Sequence, residues 1–198
     1  MPPKPKFTRE EIISASLDLV RENGISALTT RSIAERLNSS ARPIFTVFKN
    51  MDELTAEVRN VAMRLYESYI EEKIGDMPLF KQAGMQMLSF SLREPKLYQF
   101  LFMSENKSAV SFDDVFVWLG KTAEYCIDVI CEEHMIDRED AYRLFEAMWI
   151  YSHGIGSLCA TGTCKFSKDK LSRMLLTEFA AMLKFIKSGD EYMLGGLI

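Results

Sequence analysis

Residues 28–54 read LTTRSIAERLNSSARPIFTVFKNMDEL, and this stretch decides the fold of the first part of the chain. Apolar residues recur at helical spacing on both sides of the polar cluster at residues 38–40. The pattern therefore predicts a short helix that opens near Thr30, a turn, and another short helix. Ala34 is small where the two helices would lie closest, and Asn38 tolerates the positive φ that the turn requires. This is the spacing of a helix-turn-helix.

The register of the motif divides its side chains into a core set and an outward set. The core set is Ile33, Leu37, Ile44 and Val47. A helix-turn-helix places its second helix in the major groove of DNA, so the outward side chains would meet base edges and phosphates. Arg42 could contact either, because phosphate and sugar take half or more of the hydrogen bonds in such interfaces. The predicted DNA-binding residues are Thr30, Arg31, Ser40, Ala41, Arg42, Phe45, Thr46 and Lys49.

Helix start and stop signals flank the motif. A capping-box pattern at Thr8 and a stop at Gly24 predict a helix over about residues 8–23. Asn50 is an N-cap signal for a long helix over about residues 50–75. A helix of 25 residues spans roughly 37 Å, so this one could connect two domains.

The remainder of the chain continues with helical periodicity, and no alternating strand pattern accompanies it. The sequence therefore predicts an all-α fold with two domains, at residues 1–52 and 53–198. Further helices are predicted at about residues 78–93, 95–103, 112–135, 138–160 and 168–187. The helix at 138–160 has two usable faces, one apolar and one with small residues, which suggests a core and a partner.

The motif and its flanks resemble the DNA-binding domain of TetR-type transcriptional repressors over about residues 8–58. The shared pattern is a Thr at the start of the second helix, an Ile-Ala pair, an aromatic residue three before a Phe, and an acidic residue before a Leu. It stands here as Thr30, Ile33-Ala34, Phe45-x-x-Phe48 and Asp52/Glu53-Leu54. Three positions depart from it: Asn38 replaces a Gly, Phe45 a phosphate-contacting Tyr, and Met51 a phosphate-contacting Lys.

This resemblance implies a ligand-responsive regulator, a repressor that binds a roughly palindromic operator in double-stranded DNA as a homodimer. It also implies that the larger helical domain binds an unidentified apolar small-molecule effector and dimerises through its last two helices. Trp149, His153 and Gly154 resemble a Trp-x-x-x-His-Gly pattern of one group of TetR-type C-terminal domains. Helical spacing also fits ordinary core packing for each candidate effector contact. These candidates are Met87, Phe90, Phe100, Met103, Trp118, Trp149 and His153.

Composition and charge restrict the class of protein further. The net charge is −4 and 47% of residues are hydrophobic, as in ordinary globular proteins. Residues 1–60 carry nine Lys/Arg against eight Asp/Glu, and the remainder carries fifteen against twenty, so the first part is the less acidic. Residues 1–7 lack the apolar stretch of a signal peptide, which favours a cytoplasmic protein with no membrane partner and with reduced thiols.

The four cysteines form two pairs with the same spacing, Cys126-x4-Cys131 and Cys159-x4-Cys164. Cys126 and Cys131 would lie on different sides of a continuous helix and could not bind one zinc ion together, so buried or idle thiols are favoured and no metal or cofactor is predicted. The second pair lies near a Gly-containing turn and is the better candidate for a redox-sensitive site.

No paired-acid site, Ser/His/Asp set or Gly-rich phosphate loop stands out, so the sequence predicts no enzyme. An alternative interpretation stays open. It is a helical ligand-binding or thiol redox-sensing protein with weak or lost DNA binding, motivated by Phe45 and Met51, which remove a hydrogen bond and a charge from the DNA backbone. Lys49 or Lys6 could compensate for these losses.

Overall fold

The computed structural model describes residues 6–73, 78–104 and 111–189, and every regular element in these ranges is helical. Two short 3-10 turns lie at Ile25–Ala27 and Ile44–Thr46. The all-α fold class is therefore confirmed. The α-helices of the described residues are α1 (Arg9–Asn23), α2 (Thr30–Arg36), α3 (Met51–Glu71), α4 (Leu79–Arg93), α5 (Pro95–Phe102), α6 (Phe112–Leu119), α7 (Lys121–His134), α8 (Arg138–Ala160) and α9 (Lys168–Ser188).

Most helix ends follow the signals in the sequence. The Thr8 hydroxyl accepts the Glu11 N–H at 3.1 Å, and the Glu11 carboxylate accepts the Thr8 N–H at 2.8 Å, which is the predicted capping box. Gly24, at φ 83°, ends α1. The side chain of Asp137 accepts the Asp140 N–H at 2.9 Å and caps α8. The predicted capping box at Thr8 and the predicted stop at Gly24 are confirmed.

The last element of the helix-turn-helix differs from the prediction, because Ile44–Thr46 is a single 3-10 turn and not a regular helix. The ring of Pro43 disfavours the α conformation at Arg42, which disfavours a regular α-helix that opens before Pro43. The Thr46 hydroxyl donates to the Pro43 carbonyl at 2.6 Å and helps to close the turn.

The prediction of one helix over residues 112–135 is also wrong. Gly120 separates α6 from α7 with φ 56° and ψ −129°, a conformation that glycine adopts far more readily than other residues. The helix predicted over residues 50–75 ends at Glu71, and residues 74 and 75 lie outside the described residues.

The chain divides into two compact units. Unit 1 comprises Met1–Ser68 and Arg93–Ser104, and unit 2 comprises Tyr69–Leu92 and Glu105–Ile198. The boundary crosses α3 after Ser68, so one continuous helix contributes residues to both units.

In unit 1, α1 packs against α2 and α5. The Arg21 Nε atom lies 2.9 Å from the Glu94 Oε2 atom, and this ion pair joins the end of α1 to the start of α5. Thus α5 belongs to the core of the helix-turn-helix unit, although it is distant in sequence. Buried residues of this core include Ile12, Leu19, Val20, Ile33, Ile44, Phe48, Leu54, Val58, Leu97 and Tyr98.

In unit 2, α8 packs against both α7 and α9. A Cβ atom built on Gly84 would lie 3.2 Å from Leu175 Cδ1 and 3.9 Å from Ser152 Oγ, so α4 approaches both α8 and α9 closely at this glycine. The Phe179 ring of α9 contacts Phe80, with centroids 5.4 Å apart. Among the described residues, no helix is both long enough and apolar enough to span a bilayer.

Candidate nucleic-acid interface

The turn of the helix-turn-helix has the backbone that the sequence predicts. Asn38 has φ 47°, in the left-handed region that Asn tolerates better than most residues. The Ser39 N–H donates to the Ala34 carbonyl at 2.9 Å, and Ala34 is buried. Ala34 and the turn at Asn38 therefore together determine the direction in which the chain leaves α2.

The predicted DNA-binding residues lie at the surface of unit 1. Phe45 has 46% of its surface exposed, whereas Ile33 and Ile44 of the predicted core are fully buried. Leu37 and Val47 are half-buried. The structure thus separates Ile33 and Ile44 from the exposed outward positions but not Leu37 and Val47 from the half-buried ones, and contact with DNA stays a prediction. The exposed members are Arg31, Ser40, Arg42, Phe45, Thr46 and Lys49, and the half-buried ones are Thr30 and Ala41.

The cations of this surface differ in their availability to phosphate. The Arg31 Nε atom lies 2.8 Å from the Glu35 Oε1 atom and is already paired. Among the described residues, no carboxylate lies within ion-pair distance of the Arg42 or Lys49 side chains. The Lys6 ammonium donates to the Ser39 hydroxyl at 3.0 Å, which brings another cation beside the turn.

A cluster that we call the Arg9 clamp holds the segment after the turn; it consists of Arg9, Val47, Phe48, Glu53 and Glu57. The Arg9 guanidinium lies over the Phe48 ring, 4.3 Å from its centroid. It also donates to Glu53 at 3.1 Å, to Glu57 at 3.2 Å and to the Val47 carbonyl at 3.5 Å. The clamp therefore links α1, the end of the 3-10 segment and the first turns of α3.

The carboxylate of Glu53 extends this network to the backbone of Lys49. It accepts the Lys49 N–H at 2.8 Å, and this bond, together with Arg9, holds the pKa of Glu53 below its ordinary value. The Asn50 side chain accepts the Glu53 N–H at 2.9 Å, which confirms the predicted N-cap. Hydrogen bonds consequently hold both the Lys49 backbone and the start of α3 in place.

Sequence reasoning did not find the clamp. Arg9 and Glu53 lie 44 residues apart, and Arg9 and Glu57 lie 48 apart. No periodicity or local spacing in a single sequence connects residues at such separations. Glu53 was visible only as part of a helix start.

Four of the seven predicted effector residues lie in helices α4 and α8 of unit 2. Met87 and Phe90 are buried in α4, and the Phe90 ring contacts Tyr69 with centroids 5.1 Å apart. Trp149 and His153 stack in α8 with an interplanar angle of 8° and centroids 5.1 Å apart. Burial lowers the pKa of His153, which favours the neutral imidazole.

Two other predicted effector residues, Phe100 and Met103, belong to unit 1. Phe100 is only 1% exposed, and the Arg59 guanidinium lies 4.5 Å from its ring centroid. Arg59 also donates to the Leu101 carbonyl at 3.2 Å and to the Ser104 hydroxyl at 2.9 Å. Burial lowers the pKa of Arg59. The effector candidates are therefore divided between the two units.

The remaining candidate, Trp118, lies in α6, and its side chain is outside the described part of the structure. Within the described ranges, no group of three or more His, Cys, Asp or Glu side chains is arranged to hold a metal ion. Burial raises the pKa of Cys126 to about 12, so this cysteine remains a protonated thiol at neutral pH.

Known proteins resemble this chain in its first helices and in its fold. A family model of bacterial regulatory proteins of the tetR family matches residues 12–58. A transcriptional regulator from Rhodococcus sp. Rha1 has a TM-score of 0.71 at 16% identity, over 90% of this chain and 97% of that chain. A TetR-like transcriptional regulator from Rhodococcus sp. RHA1 has a TM-score of 0.64 at 16% identity, over 92% and 99%.

A TetR variant from Acinetobacter baumannii AYE, solved in complex with minocycline, has a TM-score of 0.62 at 17% identity, over 92% of this chain and 98% of that chain. No curated protein matches the sequence. At these identities the structural similarities establish the fold, and the match at residues 12–58 concerns the helix-turn-helix.

Proposed function

We propose that this chain, which belongs to the TetR family of bacterial transcriptional regulators, represses transcription by binding a roughly palindromic operator as a homodimer. An apolar small molecule relieves the repression in this proposal. The protein acts in the cytoplasm and catalyses no reaction.

The observation that carries the proposal is the exposed surface of Arg42, Phe45 and Lys49 on a motif of the matched family. Two of these side chains are cations without a carboxylate at ion-pair distance among the described residues. Such cations can donate hydrogen bonds to DNA phosphates and base edges. The Arg9 clamp holds the backbone of Lys49 through the Glu53 carboxylate.

The variants Arg42→Ala and Lys49→Ala are expected to weaken DNA binding in different ways. If Arg42 reads a guanine, its removal costs about 1–3 kcal/mol and relaxes the base preference at that position. The loss of Lys49 weakens all duplexes alike and lowers the salt slope by about one, because one phosphate contact disappears. Fluorescence anisotropy on a duplex selected from a random pool, at several salt concentrations, measures both effects.

Arg64→Ala is the matched control, since it removes one positive charge from an exposed position of α3. It should leave the affinity close to that of the wild type. Unchanged binding in both helix-turn-helix variants would contradict the assigned surface.

One alternative has a specific observation in its favour. The exposed Phe45 ring has no hydroxyl to donate to a phosphate, and Met51 carries no charge. If the wild-type chain enriches no duplex from the random pool, the DNA-binding function is wrong. A helical ligand-binding or redox-sensing protein is then the better interpretation.

The proposed dimer uses exposed apolar residues of α8 and α9. Ile150 and Leu158 are 54% and 39% exposed, and Leu176 on α9 is 52% exposed. Gly154 lies between the first two at a spacing of four residues, and a Cβ atom built there meets nothing within 4 Å. These positions share one face of α8, where a small residue permits close approach of a partner helix.

We expect a dimer at micromolar concentration in sedimentation experiments, with an interface of roughly 1,200 Å² or more. Ile150→Glu should shift the protein toward monomer, because it places a charge in an apolar contact. Val117→Glu is the control, since Val117 is 77% exposed but lies on α6. A wild-type monomer, or equal effects of the two variants, would contradict the proposed interface.

We place the effector where α4 approaches α8 in unit 2. Gly84 and Ser152 mark this approach, and Met87 and Trp149 lie one helical turn from them. Apolar side chains and a neutral His153 suit an apolar ligand with few polar groups. Because α3 contributes residues to both units, it is the element through which we expect the ligand to act.

Reciprocity gives a test of this regulation. A coupling of about 1–3 kcal/mol between ligand and operator changes each affinity about 5- to 150-fold, and the factor must be the same for both. A ligand found by quenching of tryptophan fluorescence can be titrated with and without the selected duplex. Equal ligand affinities in the two titrations would exclude regulation by that ligand.

A further inference from the structure

The two cysteine pairs share the spacing Cys-x4-Cys but differ in local geometry. Cys126 and Cys131 both lie within the continuous helix α7. Five residues of an α-helix separate two Cα atoms by about 8.6 Å, which exceeds the limit of about 7 Å for a disulfide. The first pair therefore cannot form an intramolecular bond while α7 remains folded.

The second pair lies across the end of α8, where the chain turns back. Helix α8 ends at Ala160, and Gly162, with φ 72°, reverses the direction of the backbone. The Cys164 N–H then donates to the Leu158 carbonyl, the carbonyl that precedes Cys159, at 3.1 Å. Standard bond lengths and angles place the Cα atoms of Cys159 and Cys164 at most about 7 Å apart. This separation is within reach of a disulfide.

The two thiols also differ in accessibility. Cys159 is buried and Cys164 is half-buried. Burial raises the pKa of the Cys159 thiol, and the charge of a Cys164 thiolate raises it further, as expected for neighbouring sulfurs. A reagent in solution is therefore expected to react with Cys164 first. Cys159 remains a protonated thiol beside it.

We propose that Cys159 and Cys164 form a reversible intramolecular disulfide on reaction with a low-molecular-weight disulfide. The Cys164 thiolate attacks one sulfur of the reagent, whose S–S bond breaks and releases one thiolate. Cys159 then loses its proton and attacks the Cys164 sulfur, and the second half of the reagent leaves as a thiol. Two protein thiols are oxidised, and one reagent disulfide is reduced to two thiols.

The bond would cross-link the last turn of α8 to the segment that leads into α9. It would make the connection between these two helices sensitive to the thiol–disulfide balance of the surroundings. This reactivity depends only on the α8 terminus and not on the proposed DNA binding.

Oxidised glutathione is the probe, and the full-length chain is the sample. Trypsin cleaves after Lys and Arg, so Cys159 and Cys164 share the peptide of residues 144–165, and Cys126 and Cys131 share the peptide of residues 122–138. We expect the first peptide to lose the mass of two hydrogens and dithiothreitol to restore it. The second peptide, an internal control with the same spacing, is expected to form no internal disulfide, and an adduct on the half-buried Cys131 would persist because Cys126 cannot displace it.

Single variants test the order of the steps. Cys159→Ser is expected to leave a stable glutathione adduct on Cys164, because no second thiol displaces it. Cys164→Ser is expected to leave the peptide of residues 144–165 unmodified, because Cys159 is buried. A persistent adduct on Cys164 in the wild type, a disulfide between two chains, or retention of both thiols in the peptide of residues 144–165 would each overturn the proposal.

Discussion

Phe48→Ala is expected to lower the free energy of unfolding by about 3–5 kcal/mol, the range for loss of a buried aromatic side chain. Phe48 is only 1% exposed, and its ring lies beneath the Arg9 guanidinium at 4.3 Å. Its removal leaves a cavity and takes the ring contact away from the Arg9 clamp. Urea unfolding followed by circular dichroism measures the change.

Phe45→Ala is the matched control, three residues earlier and within the 3-10 turn. Phe45 is 46% exposed, so its replacement should change stability by no more than about 0.5 kcal/mol. If the DNA-binding proposal holds, this variant changes DNA affinity while the fold persists. Similar losses of stability in the two variants would contradict the inward and outward assignment of these rings.

Phe100→Ala should have an effect of the same size, about 3–5 kcal/mol, because Phe100 is 1% exposed within unit 1. The variant also removes the ring on which the Arg59 guanidinium lies at 4.5 Å. The loss should appear in denaturant unfolding without any ligand. A residue whose main role is to line an effector cavity would instead change ligand affinity at nearly constant stability.

Met103→Ala separates these two roles. Met103 lies three residues later, directly after α5, and is 42% exposed. Its truncation should change stability by less than about 1 kcal/mol. If Phe100→Ala is as mild as Met103→Ala, then Phe100 does not contribute to the core as the structure indicates.

Local signals made most of the fold predictable. The capping box at Thr8, the N-cap at Asn50 and the positive φ at Asn38 depend on residues a few positions apart, which one sequence displays directly. The errors arose where periodicity continued through a residue that interrupts the helix. Pro43 and Gly120 lie within apolar patterns that fit a helix, but the proline restricts the residue before it and the glycine adopts a non-helical conformation.

The candidate interface was less accessible to sequence reasoning. Helical register could separate Phe45 from Ile44, because outward and inward positions follow from spacing alone. It could not place α5 in unit 1, since contacts between distant segments leave no local trace. Apolar residues at helical spacing also fit a core as well as a ligand cavity, which is why Phe100 entered the effector set.

The 3-10 turn at Ile44–Thr46 has a consequence for the evolution of target choice. The turn is held by the hydrogen bond to the Pro43 carbonyl, by the buried Phe48 and by the Arg9 guanidinium over the Phe48 ring. None of these contacts uses an exposed side chain of the predicted DNA-binding set other than Thr46. Exposed positions such as Ser40 and Arg42 therefore need not be good helix formers. Under the proposed DNA binding, single substitutions there alter the preferred DNA sequence while the scaffold persists, and a new target sequence then requires no prior gain in stability.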